Sequence, residues 1–241
     1  HKNRSKSVFA TLQRLNPKCL IELTATPKDN NVIYSVSAAE LKASEMIKLP
    51  VILTEHPNDW QACVRDALIQ RQELELIAQK EIDYVRPILL IQAQDKNGEA
   101  NIPAVKQFLT EESHIDESWI AISTGDTKEL DNIDLFSPGC PIRIVITVAA
   151  LKEGWDCSFA YVLASLQNIQ SAIDVEQLLG RVLRMPYAKL RKQNELNKAY
   201  AHVISDSTAK ATDNLKDRMV ENMGFNRWEA ESAIVASPQH S

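Results

Sequence analysis

Asp174-Val-Glu-Gln-Leu-Leu-Gly-Arg-Val-Leu-Arg-Met-Pro186 separates its apolar from its polar residues at helical spacing. Val175, Leu178, Leu179, Val182 and Leu183 form the apolar set. Gln177, Gly180, Arg181 and Arg184 fall outside it. Arg181 and Arg184 are three apart, so the spacing predicts that they share a face. Gly180 costs about 1 kcal/mol relative to alanine in a helix interior, which suggests that something passes close to the backbone there. Pro186 is expected to stop the helix. Two arginines beside a glutamine suit phosphate, because guanidinium stays charged and offers a planar fork of donors. In nucleotide hydrolysis such a group offsets charge developing on the γ-phosphoryl oxygens. A surface helix with two solvated arginines has the same pattern, so the stretch must be read with its neighbours.

Working outward, short apolar runs lie at 51–54, 87–94, 119–124, 142–148, 161–166 and 199–204. They reach four to eight residues, the length of buried strands. Helical patterns separate several of them: one capped by Asn58 or Asp59 and running to about 82, and another at 103–112. From residue 51 onward this alternation predicts an α/β fold with a parallel sheet and helices on both faces. Upstream, 19–23 reads as one more strand, with Thr24-Ala-Thr-Pro27 at its carboxyl end. Residues 28–50 read as a linker, with a short strand near 31–36 and a helical segment near 38–48. The expected division is therefore 1–50, 51–206 and a helical extension at 207–241, where Leu215, Met219 and Met223 share a face.

Composition narrows the functional classes. The 241 residues are 44% hydrophobic and 24% charged, ordinary for a globular protein. No apolar run is long enough for a membrane span. Lys2, Arg4 and Lys6 are not followed by the apolar core of a signal peptide. Cys19, Cys63, Cys140 and Cys157 are scattered with no CxxC pair, which argues against zinc and fits a reducing cytoplasm. The net charge of −5 leaves nucleic-acid binding to a local groove.

Three stretches, in order, carry a resemblance. Gln177-Leu-Leu-Gly-Arg-Val-Leu-Arg184 resembles motif VI (QxxGRxxR) of superfamily 2 helicases of the DEAD/DEAH type. Thr147-Val-Ala-Ala-Leu-Lys-Glu-Gly-Trp-Asp156 resembles motif V, and Leu23-Thr-Ala-Thr-Pro27 resembles motif III. The form Glu153-Gly-Trp-Asp-Cys-Ser-Phe-Ala160 is most similar to the Res subunits of type III restriction enzymes. His1 would then be the last residue of a DEAH box.

The resemblance implies a RecA-like P-loop NTPase-type fold: residues 1–50 as the tail of a first RecA-like domain, and 51–206 as the second. ATP and Mg²⁺ would be bound mainly by the first domain. Gln177, Arg181 and Arg184 become catalytic candidates, with Arg184 favoured as the arginine finger. Gly154 and Asp156 would face nucleotide, Asp156 taking a ribose hydroxyl or orienting an arginine. Thr24 and Thr26 would couple the two domains. Thr147 would contact the DNA backbone, as would Thr124 and Gly125, whose sequence exposes hydroxyl and N–H donors to phosphate.

Implied partners are double-stranded DNA and a DNA methyltransferase (Mod) subunit, and the implied activity is ATP-driven translocation in restriction-modification. The sequence holds no GxxxxGK[ST] loop and no PD…ExK-type nuclease site, so the chain alone is expected to hydrolyse no ATP. Two other readings stay open: a repair or phage-defence helicase of the same superfamily, and a non-catalytic nucleic-acid-binding module.

Overall fold

In the computed structural model the described residues are 6–19, 21, 32–124, 129–130, 132–148, 156–168, 175–205 and 208–237. The chain divides between Val32 and Ile33 into two compact units. In the first, the described structure is one helix, α1 (Lys6–Arg14), and the turn after it. Thr24 and Thr26 lie outside the described residues, as do His1, Gly125 and Gly154.

The second unit is α/β. Its strands are β1 (Val51–His56), β2 (Ile88–Gln92), β3 (Ile120–Ile122), β4 (Ile144–Thr147), β5 (Ala160–Asn168), β6 (Ala199–Ile204) and β7 (Ile234–Ala236). They form one sheet in the order β3-β4-β2-β5-β6-β1-β7. Every pairing is parallel. Every residue of β2, β4 and β6 is buried, which requires cover on both faces and explains why these strands read as apolar runs broken only by Gln92, Thr147 and His202. This architecture is consistent with a RecA-like sheet.

The helices of this unit are α2 (Ala38–Ala43), α3 (Trp60–Ala78), α4 (Ile102–Gln107), α5 (Val175–Val182), α6 (Thr208–Met223) and α7 (Arg227–Ala233). Asp59 caps α3, its carboxylate accepting the Ala62 N–H at 2.8 Å. Cys63, Val64, Ala67, Leu68, Leu74 and Ala78 give α3 its buried face. The helical pattern at 103–112 is realised as α4 followed by one π turn over Phe108–Glu112.

Residues 33–50 do more than connect. Ala38 is buried in the core, and the Ala39 N–H donates to Glu229 of α7 at 3.0 Å. Glu229 also closes the capping box of its own helix with Asn226, so one buried carboxylate ties two helix starts together. No strand forms at 32–36. The C-terminal extension is not purely helical: Ile234–Ala236 leaves α7 and pairs with Val51–Leu53 as the seventh strand.

Candidate functional site

The parallel sheet places the candidate residues at two different edges. Thr147 ends β4 and Thr124 lies just past β3, both at the carboxyl edge. Asp156 stands four residues before β5, at the amino edge. The chain returns to that edge after α5, where Arg184 forms an antiparallel bridge with Ile47, shortly before β1. A strand rises about 3.3 Å per residue, so the length of a four- to six-residue strand, roughly 13–20 Å, separates the two groups.

The amino-edge group is built around the end of α5. Leu178, Leu179 and Val182 are fully buried and hold the helix down, while Gln177 is exposed. The helix ends at Val182, earlier than Pro186 alone would dictate. Two causes act. The residue before a proline disfavours helical backbone, and segment 46–48 captures the next residues by main-chain bonds. The Lys48 N–H donates to Leu183 O at 2.6 Å, and the Met185 N–H to Met46 O at 2.9 Å. Arg184 therefore lies beyond the helix, and the expected shared helical face with Arg181 does not hold.

Arg184 instead forms an ion pair with Asp156 through Nη1 and Oδ2. Both side chains are about half exposed, at 49% and 56%. An exposed pair of this kind contributes at most about 1 kcal/mol to stability. It fixes the guanidinium without locking it, so a phosphate can replace or share the carboxylate at small cost. Arg181, partly buried in the last turn of α5, has its pKa pressed below the usual arginine value. Burial is the main cause, Arg184 adds to it and Asp156 opposes. Arg181 and Arg184 thus stand close enough to repel one another, with the Asp156 carboxylate paired to Arg184.

Among the described residues, no backbone crowds Gly180. Among these residues, a Cβ there would meet the Met223 methyl of α6, at an ordinary 3.7 Å. Gly180→Ala is thus expected to stabilise the chain by about 0.5–1 kcal/mol through helix propensity. An unchanged or lowered urea midpoint would count against that.

At the carboxyl edge, Thr147 is 1% exposed and offers little surface to a polymer. Thr124 is half-buried. Gln92 and Gln94, which by sequence lie at the carboxyl end of their strand and could approach nucleic acid or the domain interface, instead join Gln167 in lacing these strand ends together. The Ser165 hydroxyl donates to Gln92 Oε1 at 2.8 Å, and Gln94 Nε2 to Leu166 O at 2.9 Å. Gln167 Nε2 donates to Ala93 O and Val148 O, joining the ends of β2, β4 and β5. Gln92 and Gln94 thus act inside the fold, and only Gln167 adds a glutamine that the sequence did not single out.

By sequence the basic residues after Pro186 (Lys189, Arg191, Lys192 and Lys198) could lie along a phosphate backbone but read better as a solvated face, and Arg191 departs from that. Its side chain is buried, donates to Asp83 at 3.0 Å and lies 5.3 Å from the Tyr187 ring centre. Among the described residues no group of His, Cys, Asp and Glu could hold a metal ion, and no helix is long and apolar enough to cross a membrane. Compared with known protein families and with curated proteins, the chain matches none.

Proposed function

We propose that this chain is the second RecA-like domain of an ATP-driven DNA translocase, of the kind found in the restriction subunit of type III restriction enzymes. The observation that carries the reading is the meeting of Arg184 and Asp156. They come from the two stretches that resemble motifs VI and V, and they stand together at one sheet edge with Arg181 beside them. A carboxylate that aims an exposed arginine is what an arginine finger needs between turnovers.

On this reading ATP lies between this edge and a first domain, whose phosphate-binding loop and Mg²⁺ hold the β- and γ-phosphates. Arg184 offsets charge on the γ-phosphoryl oxygens, Arg181 binds phosphate beside it, and Gln177 holds the nucleotide or its attacking water. The opposite, carboxyl edge carries Thr124 and faces duplex DNA. Closing and opening at the nucleotide edge would then move the DNA edge as one body, because the all-parallel sheet connects them. Sequence recognition would come from a methyltransferase partner.

The direct test compares the chain alone with the chain joined to a P-loop domain. No turnover is expected from the first and DNA-stimulated turnover from the second. Turnover by the chain alone, well above an Arg184→Ala control, would sink the proposal. Cleavage of DNA carrying two sites would favour the restriction reading; turnover without cleavage would favour a repair or defence translocase.

A further inference from the structure

Lys48 has no exposed surface at all. It is the last residue of the short segment 46–48 that captures the chain after α5. Its main chain donates to Leu183 O, and its neighbour Ile47 bridges Arg184. Its side chain crosses to the other partner of the ion pair. Nζ donates to Ala160 O at 2.6 Å and to Ser158 O at 3.1 Å, and it stands 3.8 Å from the centre of the Tyr161 ring. Ser158 is two residues past Asp156. One residue therefore touches both strands of chain that deliver the Arg184–Asp156 pair: the first through its backbone, the second through its side chain.

We propose that Lys48 is a positioning residue for the Arg184–Asp156 pair, its Nζ donors setting where Asp156 stands relative to Arg184. A buried amine is costly, and methionine would fill much the same space without donors. What Lys48 adds over an apolar residue is a fixed distance between two segments about 28 residues apart in sequence, 156 and 184. Burial holds its pKa well below the ordinary lysine value, and Cys157 acts in the opposite sense. Two N–H donors serve two carbonyls in either protonation state, so the role does not depend on charge. Its consequence for catalysis rests on the phosphate role proposed above for Arg184; its structural content does not.

The test reads Arg184 itself in the 241-residue chain. The Arg184 Nε–H signal, assigned by nitrogen-15 NMR with Arg184→Lys as control, reports how firmly the guanidinium is held. In Lys48→Met this proton is expected to exchange with solvent about tenfold faster, the size of losing one or two hydrogen bonds that fix the pair. The methyl signals of Leu90, Ile91 and Val145 should stay in place. A merely structural lysine would lower the unfolding midpoint and leave Arg184 of the folded molecules unchanged, which overturns the proposal.

Lys48→Gln covers the case in which Lys48→Met does not fold, since its amide brings N–H donors toward the same carbonyls. Arg184 held in Lys48→Gln as in wild type supports the proposal. Arg184 as loose there as in free arginine overturns it. Loosening in Lys48→Met combined with unchanged turnover in Arg184→Ala would sink the nucleotide reading and leave the positioning role standing.

Discussion

On the translocase reading proposed above, Arg184→Ala is expected to lower DNA-stimulated ATP turnover by about a hundredfold or more in a protein that joins this chain to a P-loop domain, while nucleotide affinity changes little. The size follows from where the charge is needed. An arginine finger contributes about 10³–10⁵ in rate because it meets negative charge that develops only as the γ-phosphoryl group transfers. A hundredfold is a lower bound, since Arg181 stays nearby and supplies part of the field. The pair with Asp156 sharpens the expectation. Asp156→Asn removes the partner but leaves the guanidinium, so it should cost much less than Arg184→Ala and act by misaiming rather than by removing charge. A rise in KM at constant kcat in Arg184→Ala would instead mark an arginine that binds ground state and transition state alike. Unchanged turnover would return the helix to a surface element and bring the binding-module reading forward.

The chain is expected to lose stability as pH falls from 7 to 5, with His202 supplying much of the loss. His56 at the end of β1 and His202 in β6 meet inside the fold, Nε2 to Nδ1 at 3.2 Å, with rings stacked. Both are about 5% exposed or less. Burial pushes the His202 pKa down to about 3, and His56 adds to the shift. Burial also lowers the pKa of His56, against Asp66 and Asp59 of the neighbouring segment. In the unfolded chain each imidazole takes its proton near the ordinary value of about 6.5.

The folded state therefore binds fewer protons than the unfolded one from about pH 6.5 down to the folded pKa. Stability is full above pH 6.5 and falls as pH drops through that window. For His202 the loss from pH 7 to 5 amounts to about 2 kcal/mol. The urea midpoint should fall over this range, and His202→Gln should remove most of the slope. A flat midpoint between pH 7 and 5 would show that the pair is solvated or already charged.

The sheet was legible because its strands are buried on both faces. Runs such as Ile88–Gln92 and Ala199–Ile204 are apolar apart from Gln92 and His202, and length alone separates them from helices. β7 was not legible: three residues directly after α7 carry no period of their own, and only pairing with β1 makes them a strand. The end of α5 lies earlier than its sequence indicates because segment 46–48, far upstream, takes the Leu183 carbonyl with the Lys48 N–H and offers the Met46 carbonyl to the Met185 N–H.

The candidate site was legible in part. Arg181, Arg184 and Asp156 stand out by residue type and order. Lys48 did not, because a single lysine between Ile47 and Leu49 in a stretch ending at Pro50 resembles a linker. The histidines escaped notice for the same reason, since their meeting spans 146 residues.

The position of β1 between β6 and β7 has a consequence for synthesis. Val51 pairs with Ala199 on one side and Ile234 on the other, and no earlier strand flanks it. At about 5–20 residues per second, a ribosome needs roughly 7–30 s to make the first of those partners after β1 has appeared. Throughout that interval Val51, Ile52 and Leu53 present two unpaired backbone edges and an apolar face. The nascent chain is thus most exposed to aggregation at its β1 segment, and a chaperone that binds extended apolar chain would find its natural target there.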